Sequence, residues 1–282
     1  DVYKRQFFKC ENFQRIGAFK ARGAINAVFS LAGDDAARGV TTHSSGNHGS
    51  ALALAASLRG IPAWVVVPDN APRVKADCIR RYGATIISCR PGLDNREAGL
   101  RLTAGETGAN VVHPYDDWRV ITGQGTCALE LLTEMPDLDL ILVPVGGGGL
   151  ISGTAIAASG LGNNARVIGC EPEQADDAQR SFMAGERIQI ESPDTIADGL
   201  RAMVGVRDFA VISELVDDIV TVSEADIVAA MRLVWERLKI VIEPSAAVPV
   251  AALMSGAVRA QGRRVGVILT GGNVDLDSLP WR

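Results

Sequence analysis

Residues 140–159 read LILVPVGGGGLISGTAIAAS. Six apolar residues in a row, Leu140 to Val145 by position, suit a strand buried on both faces, the arrangement of a parallel sheet covered by helices. The four glycines that follow, Gly146, Gly147, Gly148 and Gly149, open a helical stretch over residues 150–159. A turn needs one or two glycines, so a run of four points to close approach of a ligand to the backbone. Main-chain N–H groups of such a loop close around a phosphate, and the positive end of the next helix adds to the attraction. The spacing matches neither G-x-G-x-x-G nor G-x-x-x-x-G-K-[ST], which disfavours a dinucleotide or a P-loop nucleotide and leaves a smaller phosphate-bearing cofactor.

The same alternation extends outward. Upstream, helical composition at 18–31, 47–58, 73–82, 96–106 and 125–134 is interleaved with strand-like runs at 39–43, 63–67, 84–88 and 110–113. Downstream come strand-like runs at 166–170, 218–222 and 264–269, with a long helix over 224–239 whose apolar positions Ile227, Val228, Met231, Val234, Trp235 and Leu238 form a core or subunit-packing face. The pattern predicts an α/β fold of two domains, each an open, mostly parallel twisted sheet flanked by helices. At about 150 residues per domain, 282 residues give two. We expect a large domain over 1–38 and 117–282, the chain leaving it for a small domain over 39–116.

Composition narrows the function. Lys plus Arg number 28 against 33 Asp plus Glu, a formal charge of -5, with no basic cluster to track a phosphate backbone, so nucleic acid is excluded as a partner. Residues 140–165 lack charge but hold seven glycines, Pro144, Asn163 and Asn164, which excludes a membrane helix. Five cysteines without a C-x-x-C pair suit a reducing cytosol. The chain opens at Asp1 without a basic-then-apolar leader, and its start reads as truncated rather than targeted.

Two further glycine clusters, at 44–49 (SSGNHG) and 270–273 (TGGN), also stand where strands run out. Ligands of open α/β sheets bind beyond the carboxyl ends of the strands, so the three clusters predict one composite site. At 44–49, Ser44, Asn47 and helix-start N–H groups can hold a substrate carboxylate, with Ser45 left to face the reacting carbon. Ser45 or Asn47 as a plain helix cap is the alternative. Lys20, in GAFKARG, is on its own most simply a surface lysine. Beside a phosphate loop, a desolvated lysine amine is the other part that an aldehyde cofactor with a phosphate, pyridoxal phosphate, requires. His113, before Pro114 at a strand end, reads as structural.

With residues 7–24 (FFKCENFQRIGAFKARGA), SSGNHG, PVGGGGL at 144–150, TIADG at 195–199, IEPSA at 242–246 and TGGNVD at 270–275, the chain resembles the fold-type II (tryptophan synthase β-like) pyridoxal-phosphate enzymes of the serine racemase and catabolic threonine/serine dehydratase family. That resemblance implies that Lys20 carries the cofactor, that Phe19 lies beside its ring, and that Asn47 binds the ring hydroxyl. It further implies phosphate binding by Gly146, Gly147, Gly148 and Gly149 and a Thr270 hydroxyl against the pyridine nitrogen. Ser44, Ser45, Asn47 and His48 would bind substrate, with Lys20 and Ser45 as acid/base groups on opposite faces. The acidic run EPEQADD at 171–177 reads from spacing alone as a solvated loop. The resemblance makes Glu171, the Ala175 carbonyl and Asp177 ligands of Mg²⁺ or Ca²⁺. A homodimer is also implied.

The activity implied is a cytoplasmic dehydratase turning L-serine or L-threonine into a 2-oxo acid and ammonia, with serine racemisation or 3-hydroxyaspartate dehydration as alternatives. A β-replacement enzyme and a non-catalytic binder stand further off. Ala202, where serine racemase has a Ser, and Tyr115, where it has an Asn, depart from the racemase pattern; Ser45 is kept where biosynthetic threonine dehydratases commonly have Ala.

Overall fold

The computed structural model describes residues 5–44, 46–71, 73–190 and 193–281. In chain order it contains β1 (Arg5–Cys10), α1 (Lys20–Phe29), α2 (Gly33–Ala37), β2 (Val40–His43), α3 (Asn47–Arg59), β3 (Ala63–Pro68), α4 (Arg73–Arg81), β4 (Thr85–Cys89), α5 (Leu93–Thr107), β5 (Asn110–Val111) and α6 (Trp118–Glu134). Then follow β6 (Leu140–Pro144), α7 (Gly149–Gly160), β7 (Arg166–Pro172), α8 (Asp177–Ala184), α9 (Val206–Leu215), β8 (Asp218–Val222), α10 (Glu224–Leu238), α11 (Pro244–Ser255) and β9 (Arg264–Leu269).

The strands form two sheets, β1-β9-β6-β7-β8 and β4-β3-β2-β5, in which every pairing is parallel. The α/β reading from the sequence therefore holds in both sheets. By its internal contacts the chain divides into a large unit, residues 1–19 with 124–282, and a small unit, residues 20–123. These change-over points differ from the 38/39 and 116/117 expected from the sequence; the first does so because α1 packs on α3 and the Arg59 guanidinium of α3 donates to the carbonyls of Val28 and Leu31.

In the large unit the strand period of two explains the unbroken apolar run of β6. Leu140 and Leu142 join one hydrophobic cluster with Ile168, Cys170, Val265 and Val267. Ile141 and Val143 join another with Val167, Ile219 and Ile268. The first cluster takes in α10 and α11, the second α7 and α9, so both faces of this sheet are covered. In the small unit, Val65, Val66 and Val67 of β3 are likewise all buried. No helix among the described residues is long and apolar enough to cross a membrane.

Candidate active site

The large unit carries the glycine loop. β6 ends at Pro144, and Gly146 to Gly149 are all buried between it and the first turn of α7. Gly148 caps that helix in the left-handed region, at φ 99°. Ser152 N–H makes the first helical bond, to Gly148 O at 2.9 Å, so the amides before it have no acceptor within the helix. Side chains are shut out on the far side. A Cβ on Gly148 would stand 2.6 Å from Asp208 Cβ, and one on Gly146 would stand 3.0 Å from Leu200 Cα.

Thr270 follows β9 directly. It is 4 % exposed, and its hydroxyl is buried with no hydrogen-bond partner. Its carbonyl accepts Phe19 N–H at 3.0 Å, and Gly272 N–H donates to Gly17 O at 3.0 Å, bracketing an antiparallel bridge between Ala18 and Gly271. Asn273 Nδ2 donates to Ile16 O at 2.7 Å. Ile16 and Gly17 are both left-handed, at φ 60° and 69°. Gly271 permits another close approach, since a Cβ there would lie 2.6 Å from an oxygen of the buried Glu243. The ring of Phe19 packs against the second cluster of this unit.

The expected metal ligands lie at the end of β7 and the start of α8 in the large unit. Glu171 is fully buried and accepts the amides of Ala178 at 3.2 Å and Gln179 at 2.8 Å. Asp177 accepts Val204 N–H at 2.8 Å. Burial and then the neighbouring Asp177 push the Glu171 carboxyl well above its usual range. Burial raises Asp177 to about 6, with Asp176 adding repulsion. Ala175 is buried in the same turn. Among the described residues no group of three His, Cys, Asp or Glu side chains gathers to hold a metal; this set has two carboxylates.

The small unit carries Lys20, the first residue of α1, whose Nζ donates to the Pro114 carbonyl at 2.8 Å. Ser44 ends the run from β2; its N–H donates to Val66 O, and its Oγ accepts Gly46 N–H at 3.2 Å. Ser45 lies outside the described residues. Asn47 opens α3, and His48 behind it is 2 % exposed with Nε2 3.3 Å from the Val112 carbonyl and Nδ1 unpartnered. Gly49 is where the turn closes on itself, since a Cβ would meet Ser44 O at 2.4 Å.

All three histidines of the chain fall in this unit. His43 and His113 meet edge to face at 6.1 Å between centroids, and His113 and Tyr115 at 4.5 Å. Burial lowers each. His43 drops to about 4, with Arg96 and His113 contributing, and His48 falls well below its usual range, with Lys20 contributing. His113 is lowered by burial; Lys20 pushes the same way and Asp116 opposes. The sequence did not single out the Pro114 carbonyl, because a main-chain acceptor leaves no trace in residue type.

Comparison with known proteins matches these features. A family described as pyridoxal-phosphate dependent enzyme covers residues 3–271. A β-hydroxyaspartate dehydratase of Paracoccus denitrificans (strain Pd 1222) is 54 % identical over 275 residues, 98 % of this chain and 87 % of that protein. Maize serine racemase superposes with a TM-score of 0.94 at 46 % identity, covering 97 % of this chain and 85 % of that one. Serine racemase of Dictyostelium discoideum gives 0.91 at 47 %, covering 97 % and 89 %, and a threonine deaminase gives 0.92 at 41 %, covering 98 % and 90 %. A match over nearly the whole length, with the glycine loop after β6 and the hydroxyl after β9 in place, leaves one conclusion: this chain belongs to the pyridoxal-phosphate dependent enzymes.

Proposed function

We propose that the protein is a hydroxy-amino-acid dehydratase that uses pyridoxal phosphate to eliminate water from a small β-hydroxy amino acid, the unsaturated product then taking water up again to give a 2-oxo acid and ammonia. The observation that carries this reading is the buried, unpartnered Thr270 hydroxyl in the same unit as the glycine loop. A lone buried hydroxyl is costly until something bonds it, and a pyridine nitrogen fits that need. The helix-start amides after Gly148 suit the phosphate. In this reading the large unit is the cofactor-holding domain, with Phe19 beside the ring, and the small unit supplies Lys20 and the 44–49 turn.

Bound pyridoxal phosphate supplies an electron sink for the charge left at Cα when its proton departs. The rest is done by the chain. The Lys20 amine holds the cofactor and, once freed, takes the Cα proton as general base. Ser44, Asn47, His48 and the start of α3 hold the substrate carboxylate, and Asn47 also binds the ring hydroxyl. Thr270, being neutral, does not hold the pyridine nitrogen protonated as a carboxylate would, which favours loss of the β-hydroxyl over prolonged charge storage. The identities and folds of the β-hydroxyaspartate dehydratase and the threonine deaminase support dehydration. Racemisation is the second reading, supported by the likeness to maize serine racemase; in it Ser45 takes the part the family resemblance implies, returning a proton to the opposite face.

Glu171, the Ala175 carbonyl and Asp177 would hold Mg²⁺ or Ca²⁺, which relieves the repulsion between two buried carboxylates. We further propose a homodimer in the cytosol; all five cysteines are free thiols, as a reducing compartment requires.

The test is direct. Holoenzyme is given L-serine, L-threonine or 3-hydroxyaspartate in turn, and keto acid, ammonia and the opposite enantiomer are followed. Keto acid with ammonia is the expected product, lost in K20A. Turnover by K20A at the wild-type rate would overturn the reading, and accumulation of D-serine without keto acid would replace it with racemisation. Added Ca²⁺ should raise the melting temperature of the wild type and not of E171Q.

A further inference from the structure

The Lys20 amine is held by a main-chain carbonyl, and that carbonyl belongs to a turn with an unusual closure. Of the residues after His113, Pro114 has no N–H to give. The next two amides both point at one imidazole nitrogen: Asp116 N–H lies 2.9 Å from His113 Nδ1 and Tyr115 N–H 3.4 Å. Asp117 N–H then turns back to Tyr115 O at 2.8 Å, and the Asp117 carboxylate accepts Arg119 N–H at 2.9 Å in the first turn of α6. Before the turn, Val112 N–H is pinned to Thr41 O at 2.9 Å. The turn is thus tied to β2 at its start and to α6 at its end. Its middle, which carries Pro114, is shaped by the His113 ring.

We propose that His113 is a positioning residue for Lys20: its Nδ1 lone pair gathers the Tyr115 and Asp116 amides into the turn whose Pro114 carbonyl holds the lysine amine. The inference rests on the reading of Lys20 as cofactor-holding residue and base, and adds to it the group that sets the amine in place. An amine that donates one N–H to a fixed carbonyl has its lone pair aimed elsewhere, which is what an attacking or proton-accepting nitrogen requires.

The chemistry of the ring follows from the bonds it makes. A nitrogen that accepts two amides must be unprotonated, so His113 is neutral with its proton on Nε2. Burial favours that state most; among the groups facing the ring, Lys20 from α1 adds to it, with the neutral His43 of β2 edge-on and His48 of α3 near by. Glu97 of α5, Asp116 and Asp117 pull the other way, and burial outweighs them. Protonation at Nδ1 would set a hydrogen against the Asp116 N–H and open the turn.

The experiment compares wild type, H113N and H113L as full chains stripped of cofactor and then reloaded. Asn places its side-chain oxygen the same number of bonds from the backbone as Nδ1, and it favours turns before proline. The first readout is the rate at which stripped protein captures pyridoxal phosphate, with borohydride reduction and peptide mapping to locate the attachment. H113L is expected to slow capture at Lys20 by about tenfold or more and to lower kcat by a similar factor with KM within about threefold, a cost in the range seen for small misplacements of reacting groups. H113N is expected to restore both rates to within about threefold, since the acceptor is kept. Wild type should lose capture rate on the acid side, and H113N should lack that added loss.

Should H113L melt well below wild type, H113M, a flexible side chain with no oxygen or nitrogen acceptor, takes its place. Capture by the acceptor-lacking variant at the wild-type rate overturns the role of His113, as does an H113N as impaired as H113L. A wild-type label on a lysine other than Lys20 overturns the cofactor reading itself, so the two failures are told apart.

Discussion

Thr270 shows how one atom can carry opposite signs in two states of the protein. Its hydroxyl is buried and unpartnered in the chain alone, so T270V, which keeps the volume, removes an unsatisfied group. Without cofactor T270V is expected to be more stable by about 1 kcal/mol, and with cofactor less stable than loaded wild type. Paired thermal melts of stripped and loaded protein read both signs. Residues of this kind are legible in sequence only in company: Lys20 was found by pairing it with a phosphate loop, and Thr270 by the family resemblance. The Pro114 carbonyl was not, and His113 was read as structural, since its function depends on which amides reach it and not on its own type.

At the scale of elements, the strands were found to within a few residues. β3 and β6 are short apolar runs bounded by turn residues, and that pattern survives without any knowledge of the fold. Among the helices, α2, α8, α9 and α11 were not read. The reason is plainest in α11, where residues 245–253 are all buried, so no polar face gives the sequence a helical period, and Pro249 argues against a helix. The loop that joins β6 to α7 yields a sharper expectation. Gly148 has φ 99° and faces Asp208 Cβ, so G148A meets both a strained backbone and a blocked Cβ. A loss of about 2–4 kcal/mol is expected in chemical denaturation, together with weaker retention of pyridoxal phosphate on dialysis.

For the molecule as a whole, the three histidines, two buried and His113 half-buried, set a pH dependence. Each has its folded pKa lowered, His43 to about 4, so the unfolded chain takes up protons near 6.5 that the folded chain refuses. Stability is complete above the unfolded value and falls as pH drops from about 6.5 toward 4, by up to about 1.4 kcal/mol per pH unit for each histidine. Urea midpoints at pH 7.5 and 5.0 should differ accordingly, and H43Q should shrink the difference. The two-unit organisation was legible from length and alternation. The points at which the chain changes unit were not, because whether α1 belongs to one sheet or the other depends on its packing against α3 and on the Arg59 bonds, and composition is silent on both.

Ile16 has a β-branched side chain at φ 60°, a conformation that its Cβ opposes by about 1–3 kcal/mol. It is held there by Asn273 on its carbonyl and by the bridge that follows, and it contributes to neither hydrophobic cluster. Here the usual rule for glycine reverses. I16G gives up side-chain stiffness in the unfolded chain, about 0.5–1 kcal/mol, and gains relief of a larger torsional cost, so it is expected to raise the melting temperature. The site is a candidate for thermostabilisation by the residue most often blamed for softness, at a position four residues ahead of Lys20.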